Sequence, residues 1–200
     1  YKVMKIYIIG ANKAYMQNVH KVLEANGQTD ITTIIASKLS PKELQEKAVA
    51  CEILVAAASG FETLSAEVFA GLPKLKLIST IGVGTDWIDL PAAKAHGVVV
   101  SNQRGVNAQS VAEHCFGMIL DLAKQITQAD RGLRNRGEYR HSPYLGKEIF
   151  GKTLGIVGTG AIGQRVAKIV SGFSMQVIGI NKSGKETDGI TLVSLETLLT

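Results

Sequence analysis

The sequence of 200 residues has no long apolar run and only two cysteines. No segment approaches the ~18 consecutive apolar residues of a membrane-spanning helix, and the first five residues lead into a strand-like segment rather than a signal peptide. Cys51 and Cys115 lie in apolar surroundings and provide no disulfide framework, so we expect buried thiols. These absences predict a cytoplasmic protein and exclude a membrane partner and a disulfide-stapled secreted domain.

The charged residues form no long run of one sign. Lys and Arg together number 22 and Asp and Glu 17, which gives a formal net charge of +5. Scattered charges of this kind predict a mildly basic surface that suits anionic small molecules, and we expect no nucleic-acid partner. The sequence also suggests no metal site.

The first hundred residues alternate between strand-like and helix-like segments. Short apolar or β-branched runs bounded by Gly, Pro, Ser or Asn predict five strands, at residues 3–9, 31–36, 53–58, 75–80 and 98–100. Strands separated by crossover helices form a parallel, doubly wound sheet. A helix of about twenty residues should follow, with Ser110 and Glu113 as its capping box. Residues 131–150 are polar and glycine-rich, which predicts an irregular arm.

A glycine motif, GTGAIG, lies between two further strand-like runs at residues 153–157 and 176–180. In a strand–turn–helix–strand unit, Gly158 allows the tight turn, Gly160 lets the backbone approach a pyrophosphate, and Gly163 lets the helix pack closely on the strand. The pattern therefore predicts a dinucleotide site. Its residues are Gly158, Thr159, Gly160, Ala161, Ile162 and Gly163.

The segment after the second of these strands bears on the choice between NAD and NADP. An acidic residue there would bind the ribose hydroxyls of NAD, but the sequence has Asn181, Lys182 and Ser183. An amide, an ammonium group and a hydroxyl suit a 2′-phosphate better, which favours NADP. Alternatively, the segment is a solvated basic loop, or Glu186 or Asp188 contacts the ribose. NAD therefore remains a candidate cofactor.

Four segments together resemble the D-isomer-specific 2-hydroxyacid dehydrogenases, the family of phosphoglycerate, glycerate and D-lactate dehydrogenases. They are residues 75–89, 97–102, 110–114 and 151–158. The resemblance implies an α/β protein with two doubly wound, Rossmann-like domains: a flavodoxin-like substrate domain at residues 1–101 and an incomplete dinucleotide-binding domain at residues 102–200. It also implies a homodimer that interconverts a D-2-hydroxy acid and a 2-oxo acid with a nicotinamide dinucleotide.

The resemblance assigns roles to particular residues. Gly82, Val83 and Gly84 would present backbone N–H groups to the substrate carboxylate, whereas a plain strand-to-loop turn is the alternative. The catalytic Arg, Glu and His of the family follow later strands, beyond position 200. We therefore expect a truncated polypeptide that is inactive by itself, and we assign no catalytic residue within it.

One basic cluster in the arm invites a catalytic reading. Its members are Arg131, Arg134, Arg136, Glu138, Arg140 and His141. Because they precede the cofactor strand and lie in a connector, we expect a solvated or dimer-facing arm instead. A non-catalytic module that senses NAD(P) or binds a partner on the same fold remains the alternative function.

Overall fold

The computed structural model describes residues 3–137 and 142–200. The chain forms two compact units, Tyr1–Arg104 and Gly105–Thr200. Their boundary follows Arg104, where the sequence predicted residue 101. Within the described ranges, none of the helices combines the length and the apolar character needed to cross a bilayer.

The first unit contains a five-stranded parallel sheet with the strand order β2-β1-β3-β4-β5. The strands are β1 (Ile6–Gly10), β2 (Ile31–Ile35), β3 (Ile53–Ala56), β4 (Leu77–Thr80) and β5 (Val99–Ser101). The helices are α1 (Lys13–Ala25), α2 (Pro41–Ala48), α3 (Ala66–Gly71) and α4 (Leu90–Ala95). This order confirms the predicted flavodoxin-like, doubly wound sheet, whose chain reversal lies between β1 and β3.

Polar side chains fix where three of these helices begin. Asn12 accepts a hydrogen bond from the N–H of Tyr15 at 3.0 Å, and Asp89 accepts one from Ala92 at 2.9 Å. Ser40 and Glu43 form a capping box at the start of α2. Hydrogen bonds from the backbone N–H and the hydroxyl of Ser40 lower the pKa of the Glu43 carboxyl from its ordinary value. Each cap satisfies helix N–H groups that have no partner within the helix.

The core of the first unit lies on the central strands. Ile9, Leu54 and Ile78, one from each of β1, β3 and β4, are fully buried. Burial of one such side chain stabilises the fold by about 1.5–3 kcal/mol. Cys51 is also fully buried, as predicted, and this burial raises the pKa of its thiol to about 12. Cys115, in the second unit, is only partly buried.

The second unit has a parallel three-stranded sheet with the order β6-β7-β8. The strands are β6 (Thr153–Val157), β7 (Gln176–Ile180) and β8 (Thr191–Leu192). The helices are α5 (Ala108–Lys124), α6 (Ile126–Arg136), α7 (Ala161–Val170) and α8 (Leu195–Leu199). α5 packs against α7, and Ala112, Val166 and Val170 belong to their shared core.

The predicted capping box at Ser110 and Glu113 is wrong. With Ser110 as N-cap the helix would begin at Val111, but α5 begins three residues earlier, at Ala108, and no side chain caps it. The Glu113 carboxylate instead accepts a hydrogen bond of 2.7 Å from the side-chain amide of Gln109. Ala108 and Ala112 are buried, so packing of this face extends the helix past the local start signal.

Two further features of the second unit differ from what the sequence predicted. The arm is not irregular from residue 131, because Gln125 adopts a left-handed conformation (φ +57°) that ends α5 and a new helix, α6, then runs to Arg136. The second unit also has a third strand, since β8 pairs with β7 through residues 178 and 179. The sequence reading did not predict β8, a strand of only two residues.

Candidate functional site

The loop after β4 contains the three predicted carboxylate-binding residues. Gly82 has φ +130°, a backbone conformation that side-chain-bearing residues rarely adopt, and a Cβ built there meets no atom within 4 Å. Gly82 and Gly84 are exposed, and Val83 is partly buried. The loop lies at the carboxyl end of a parallel strand, the edge where open α/β sheets bind ligands.

Hydrogen-bond donors hold the first two carbonyl groups of this loop. The carbonyl oxygen of Gly82 accepts from the hydroxyl of Thr80 at 2.9 Å and from the backbone N–H of Gln103 at 3.0 Å. The carbonyl oxygen of Val83 accepts from Nδ2 of Asn102 at 2.8 Å. The loop is therefore fastened to the end of its own strand and to the segment after β5.

The third carbonyl group is held by an aromatic side chain. Nε1 of Trp87 donates to the carbonyl oxygen of Gly84 at 3.2 Å. The Trp87 ring stacks on Phe61, with 5.5 Å between ring centroids and 7° between the planes. Phe61 is buried, so the Trp87 ring has a fixed support. Sequence reasoning missed Thr80, Trp87 and Asn102 as supports, although all three lie within its motif segments.

The backbone N–H groups of Val83 and Gly84 have no hydrogen-bond acceptor among the described residues. Two donors on neighbouring peptide units that lack an acceptor can bind an anion such as a carboxylate. The nearby acidic group is Asp86, whose Oδ2 lies 3.6 Å from the position of a Cβ on Gly84. Its negative charge opposes anion binding at the loop.

The three glycines of the turn in the second unit differ in backbone conformation and in the space around them. Gly158 has φ +96°, and its N–H donates to the carbonyl of Ile180 at 2.9 Å. A Cβ on Gly160 would meet nothing within 4 Å, whereas a Cβ on Gly163 would lie 2.5 Å from the carbonyl oxygen of Gly158. Gly163 thus permits close helix–strand packing, and the space beside Gly160 is open.

α7 begins directly after this turn. Gly160 occupies its N-cap position, and no side chain caps the helix. The first N–H groups, those of Ala161, Ile162 and Gly163, therefore lack the acceptor that a cap would give, and they carry the positive end of the helix dipole. An open approach beside Gly160 and an uncapped helix N-terminus together fit a phosphate group.

A buried hydroxyl joins the glycine turn to the segment after β7. Thr159 is 4% exposed, and its Oγ1 accepts from Nδ2 of Asn181 at 2.7 Å and lies 3.1 Å from Oγ1 of Thr187. Gly179 makes room for it, because a Cβ at that position would lie 2.8 Å from Cγ2 of Thr159. The three polar side chains fix the spacing between the turn and the loop.

A cavity of about 260 Å³ opens between these two segments. Its lining residues are Thr159, Gly160, Gln164, Asn181, Ser183, Lys185, Glu186 and Thr187. The lining includes four of the nine residues predicted for the cofactor, and it adds Lys185 and Glu186, two opposite charges. Lys182 is exposed and lies outside the lining.

The basic cluster of the arm lies partly on α6. Arg134 pairs with Asp130 on the same helix at 2.7 Å, and Arg136 donates to the hydroxyl of Tyr144 at 2.6 Å. Arg131 is exposed. The other three members, Glu138, Arg140 and His141, lie outside the described residues. These contacts are those of a helix surface and give no sign of a catalytic constellation.

Comparison with known proteins defines the class to which this fold and these two loops belong. The model of the D-isomer specific 2-hydroxyacid dehydrogenase catalytic domain matches residues 8–197. The chain therefore belongs to the D-isomer-specific 2-hydroxyacid dehydrogenase family, which confirms the resemblance seen in the sequence.

Two curated relatives are D-3-phosphoglycerate dehydrogenases. The protein of Mycobacterium tuberculosis (strain ATCC 25618 / H37Rv) is 42% identical over 141 residues, which is 68% of this chain and 26% of the relative. That of Methanocaldococcus jannaschii is 38% identical over 177 residues, which is 86% of this chain and 32% of the relative. The chain thus spans about a quarter to a third of these relatives.

Solved structures share the fold over nearly the whole chain. An acyclic imino acid reductase in complex with NADPH and D-Arg superimposes with a TM-score of 0.83 at 30% identity, covering 98% of this chain and 62% of that one. An NAD-dependent formate dehydrogenase from Staphylococcus aureus, in complex with NAD, gives 0.78 at 26% identity, with coverages of 98% and 62%. The two relatives carry different nicotinamide dinucleotides.

Proposed function

We propose that the complete protein is an oxidoreductase that interconverts a D-2-hydroxy acid and a 2-oxo acid with a nicotinamide dinucleotide. The observation that supports the proposal is that this member of the family has two loops whose backbone N–H groups are free to bind an anion. One is the loop of Gly82, Val83 and Gly84, and the other is the glycine turn at residues 158–163 with the uncapped start of α7. A substrate carboxylate fits the first and a pyrophosphate fits the second.

The loop after β4 holds the substrate. The N–H groups of Val83 and Gly84 donate to the two carboxylate oxygens, which fixes the first carbon of the acid and presents its second carbon, the reacting one, in a constant orientation. Backbone donors suit this task because their position does not depend on a flexible side chain. The reaction leaves the carboxylate unchanged, so this contact contributes to binding in both directions.

The glycine turn holds the dinucleotide. Gly160 leaves room for the pyrophosphate, Gly158 and Gly163 shape the turn, and the first residues of α7, Ala161 and Ile162, donate their N–H groups to it. The buried hydroxyl of Thr159 stabilises the turn through its hydrogen bond with Asn181. When bound, the dinucleotide supplies or accepts the hydride.

We propose NADP(H) as the preferred cofactor, with NAD(H) as the second candidate. No carboxylate occupies position 181 at the end of β7, and Ser183 and Lys185 line the cavity beside the turn. The ammonium group of Lys185 can hold a 2′-phosphate, whereas the single O–H of Ser183 donates to Oδ1 of Asn181. Glu186 lines the same cavity and would favour a ribose hydroxyl over a phosphate, so its carboxylate is the main argument for NAD.

We further propose a homodimer in the cytoplasm. Val111, Met118 and Leu122 lie on one face of α5, at the helical spacing i, i+7 and i+11, and are 37%, 49% and 79% exposed. An apolar face of this kind suits contact with a second copy of the chain.

The test is an assay of the complete protein for NADPH and NADH oxidation with small 2-oxo acids such as glyoxylate, pyruvate and hydroxypyruvate. The proposal predicts saturable oxidation with at least one acid, and chiral chromatography of the pyruvate or hydroxypyruvate product should give the D-hydroxy acid. Tight dinucleotide binding without turnover of any 2-oxo acid would instead favour the alternative, a non-catalytic sensing or partner-binding module.

A further inference from the structure

We propose that Thr80 and Asn102 are positioning residues that orient the backbone N–H groups of Val83 and Gly84 toward the substrate carboxylate. The inference rests on the proposed function, since it concerns the same loop. It assigns no contact with substrate to these side chains. They act through the carbonyl groups of Gly82 and Val83 that they hold.

The geometry of the peptide unit links each held carbonyl to the next N–H. In a planar trans peptide, the C=O and the N–H point in opposite directions, and the peptide units of this loop are trans. The carbonyl of Gly82 shares its unit with the N–H of Val83, and the carbonyl of Val83 shares its unit with the N–H of Gly84. A donor that fixes one of these carbonyls therefore also fixes the direction of the N–H on the opposite side.

This restraint matters because the loop contains two glycines. Glycine has access to more backbone conformations than any other residue, so Gly82 and Gly84 could turn their peptide units away from the anion at little cost. Donors already in place remove that freedom before the substrate arrives. A preorganised pair of N–H groups binds a carboxylate more tightly than a pair that must be ordered on binding.

The two peptide units are not equally protected. The carbonyl of Gly82 has two donors, the Thr80 hydroxyl and the Gln103 backbone N–H, and the second cannot be removed by a side-chain change. The carbonyl of Val83 accepts from Asn102, its single donor among the described residues. Loss of Asn102 should therefore release the Gly84 N–H completely, whereas loss of the Thr80 hydroxyl should weaken the Val83 N–H only in part.

The experiment compares KM and kcat for a 2-oxo acid in variants of the complete protein. Asn102→Ala should raise KM about tenfold or more and change kcat by less than about threefold, because the carboxylate contact is the same in the ground state and the transition state. Thr80→Val should raise KM about twofold to fivefold. Thr80→Ser keeps the hydroxyl and should have the KM of the wild type. Trp87→Phe keeps the ring stack on Phe61 and removes only the donor to the Gly84 carbonyl, whose peptide unit carries the N–H of Thr85, so KM should change little.

Asn26→Ala is the matched control. Asn26 also donates from its side-chain amide to a backbone carbonyl, that of Val22 at 2.7 Å, in the same unit but at the end of α1. The Asn26→Ala variant should shift the midpoint of urea unfolding about as much as Asn102→Ala does, and its KM should equal that of the wild type. If Asn102→Ala leaves KM unchanged, or if Asn26→Ala raises KM equally, the positioning role is overturned.

A titration followed by NMR tests the positioning role without relying on turnover. Oxalate added to the ¹⁵N-labelled complete protein with bound NADP⁺ should shift the amide resonances of Val83 and Gly84 in the wild type. In Asn102→Ala the oxalate dissociation constant should rise by the same factor as KM. If oxalate shifts these resonances in the wild type but no 2-oxo acid is turned over, only the proposed oxidoreductase activity is contradicted. If Asn102→Ala binds oxalate as tightly as the wild type does, only the positioning role is rejected.

Discussion

Nδ2 of Asn181, the first residue after β7, donates a hydrogen bond of 2.7 Å to the buried Oγ1 of Thr159 in the glycine turn. The same nitrogen donates to the carbonyl of Lys185 at 2.9 Å, and Oδ1 accepts from the hydroxyl of Ser183 at 3.0 Å. A primary amide has two N–H donors, and both are occupied here. Asn181 therefore shapes the cofactor loop and has no donor left for a 2′-phosphate.

A carboxylate at position 181 should reverse the cofactor preference. Asn181→Asp removes both donations and places a negative charge beside the carbonyl of Lys185 and the cavity. We expect the ratio of kcat/KM for NADPH to that for NADH to fall at least about tenfold, or about 1.4 kcal/mol. Asn181→Ala is the control, because it loses the same bonds without the charge. An equal effect in both variants would mean that loop geometry, not repulsion, sets the preference.

The phosphate contact should depend on Lys185 more than on Lys182. Lys185 lines the cavity beside the turn, whereas Lys182 is exposed and outside its lining. Lys185→Ala should weaken NADPH binding about tenfold and leave NADH binding nearly unchanged, because only NADPH carries the additional charge. Lys182→Ala, a matched change of charge in the same loop, should have a smaller effect. Calorimetric titration of both cofactors measures this, and equal losses for NADPH and NADH in Lys185→Ala would contradict the assignment.

Two glycines of the turn should respond differently to substitution. A Cβ on Gly160 meets no protein atom within 4 Å, so Gly160→Val should leave the unfolding midpoint nearly unchanged and weaken dinucleotide binding at least about tenfold. Gly163→Ala places a Cβ 2.5 Å from the carbonyl oxygen of Gly158, and should destabilise the second unit. Calorimetric titration and thermal melts of the complete protein separate the two effects. Unchanged dinucleotide affinity in Gly160→Val would remove the turn from the site.

Sequence motifs predicted the glycine turn well because its physics is local. The positive φ of Gly158 and the close contact of Gly163 with the Gly158 carbonyl arise within six residues of chain. The Thr159–Asn181–Thr187 contacts join residues 22 and 28 positions apart, and no local pattern encodes them. The hydrogen bonds that hold the carbonyls of the substrate loop could not be predicted for the same reason, because Asn102 is 19 positions from Val83.

The two Ser-x-x-Glu sequences show why a local pattern can fail. Ser40 and Glu43 form a capping box, with Pro41 fixing the first helical residue, whereas Ser110 and Glu113 lie inside α5. The difference is tertiary: Ala108 precedes Ser110 and is 1% exposed, so its packing starts the helix earlier. Local capping contributes about 0.5–2 kcal/mol, which core packing readily exceeds.

The exposed face of α5 should mediate dimerisation. Leu122 is 79% exposed, so Leu122→Glu should fold normally and yet dissociate the dimer by placing a charge in an apolar contact. Val22→Glu on α1, where Val22 is 53% exposed, is the matched control and should remain a dimer. Sedimentation of the complete protein at tens of micromolar measures the mass, and a wild-type monomer at that concentration would exclude the proposed interface.

The most direct test of the account is the selectivity of the complete protein for a free carboxylate. Its kcat/KM with NADPH should be measured for pyruvate, or for the best 2-oxo acid found, and for the corresponding amide, which has the same shape and no negative charge. If the N–H groups of Val83 and Gly84 hold the carboxylate, the acid should be favoured at least about a hundredfold, or about 2.7 kcal/mol. Equal turnover of acid and amide, or no turnover of any 2-oxo acid with either cofactor, would contradict it.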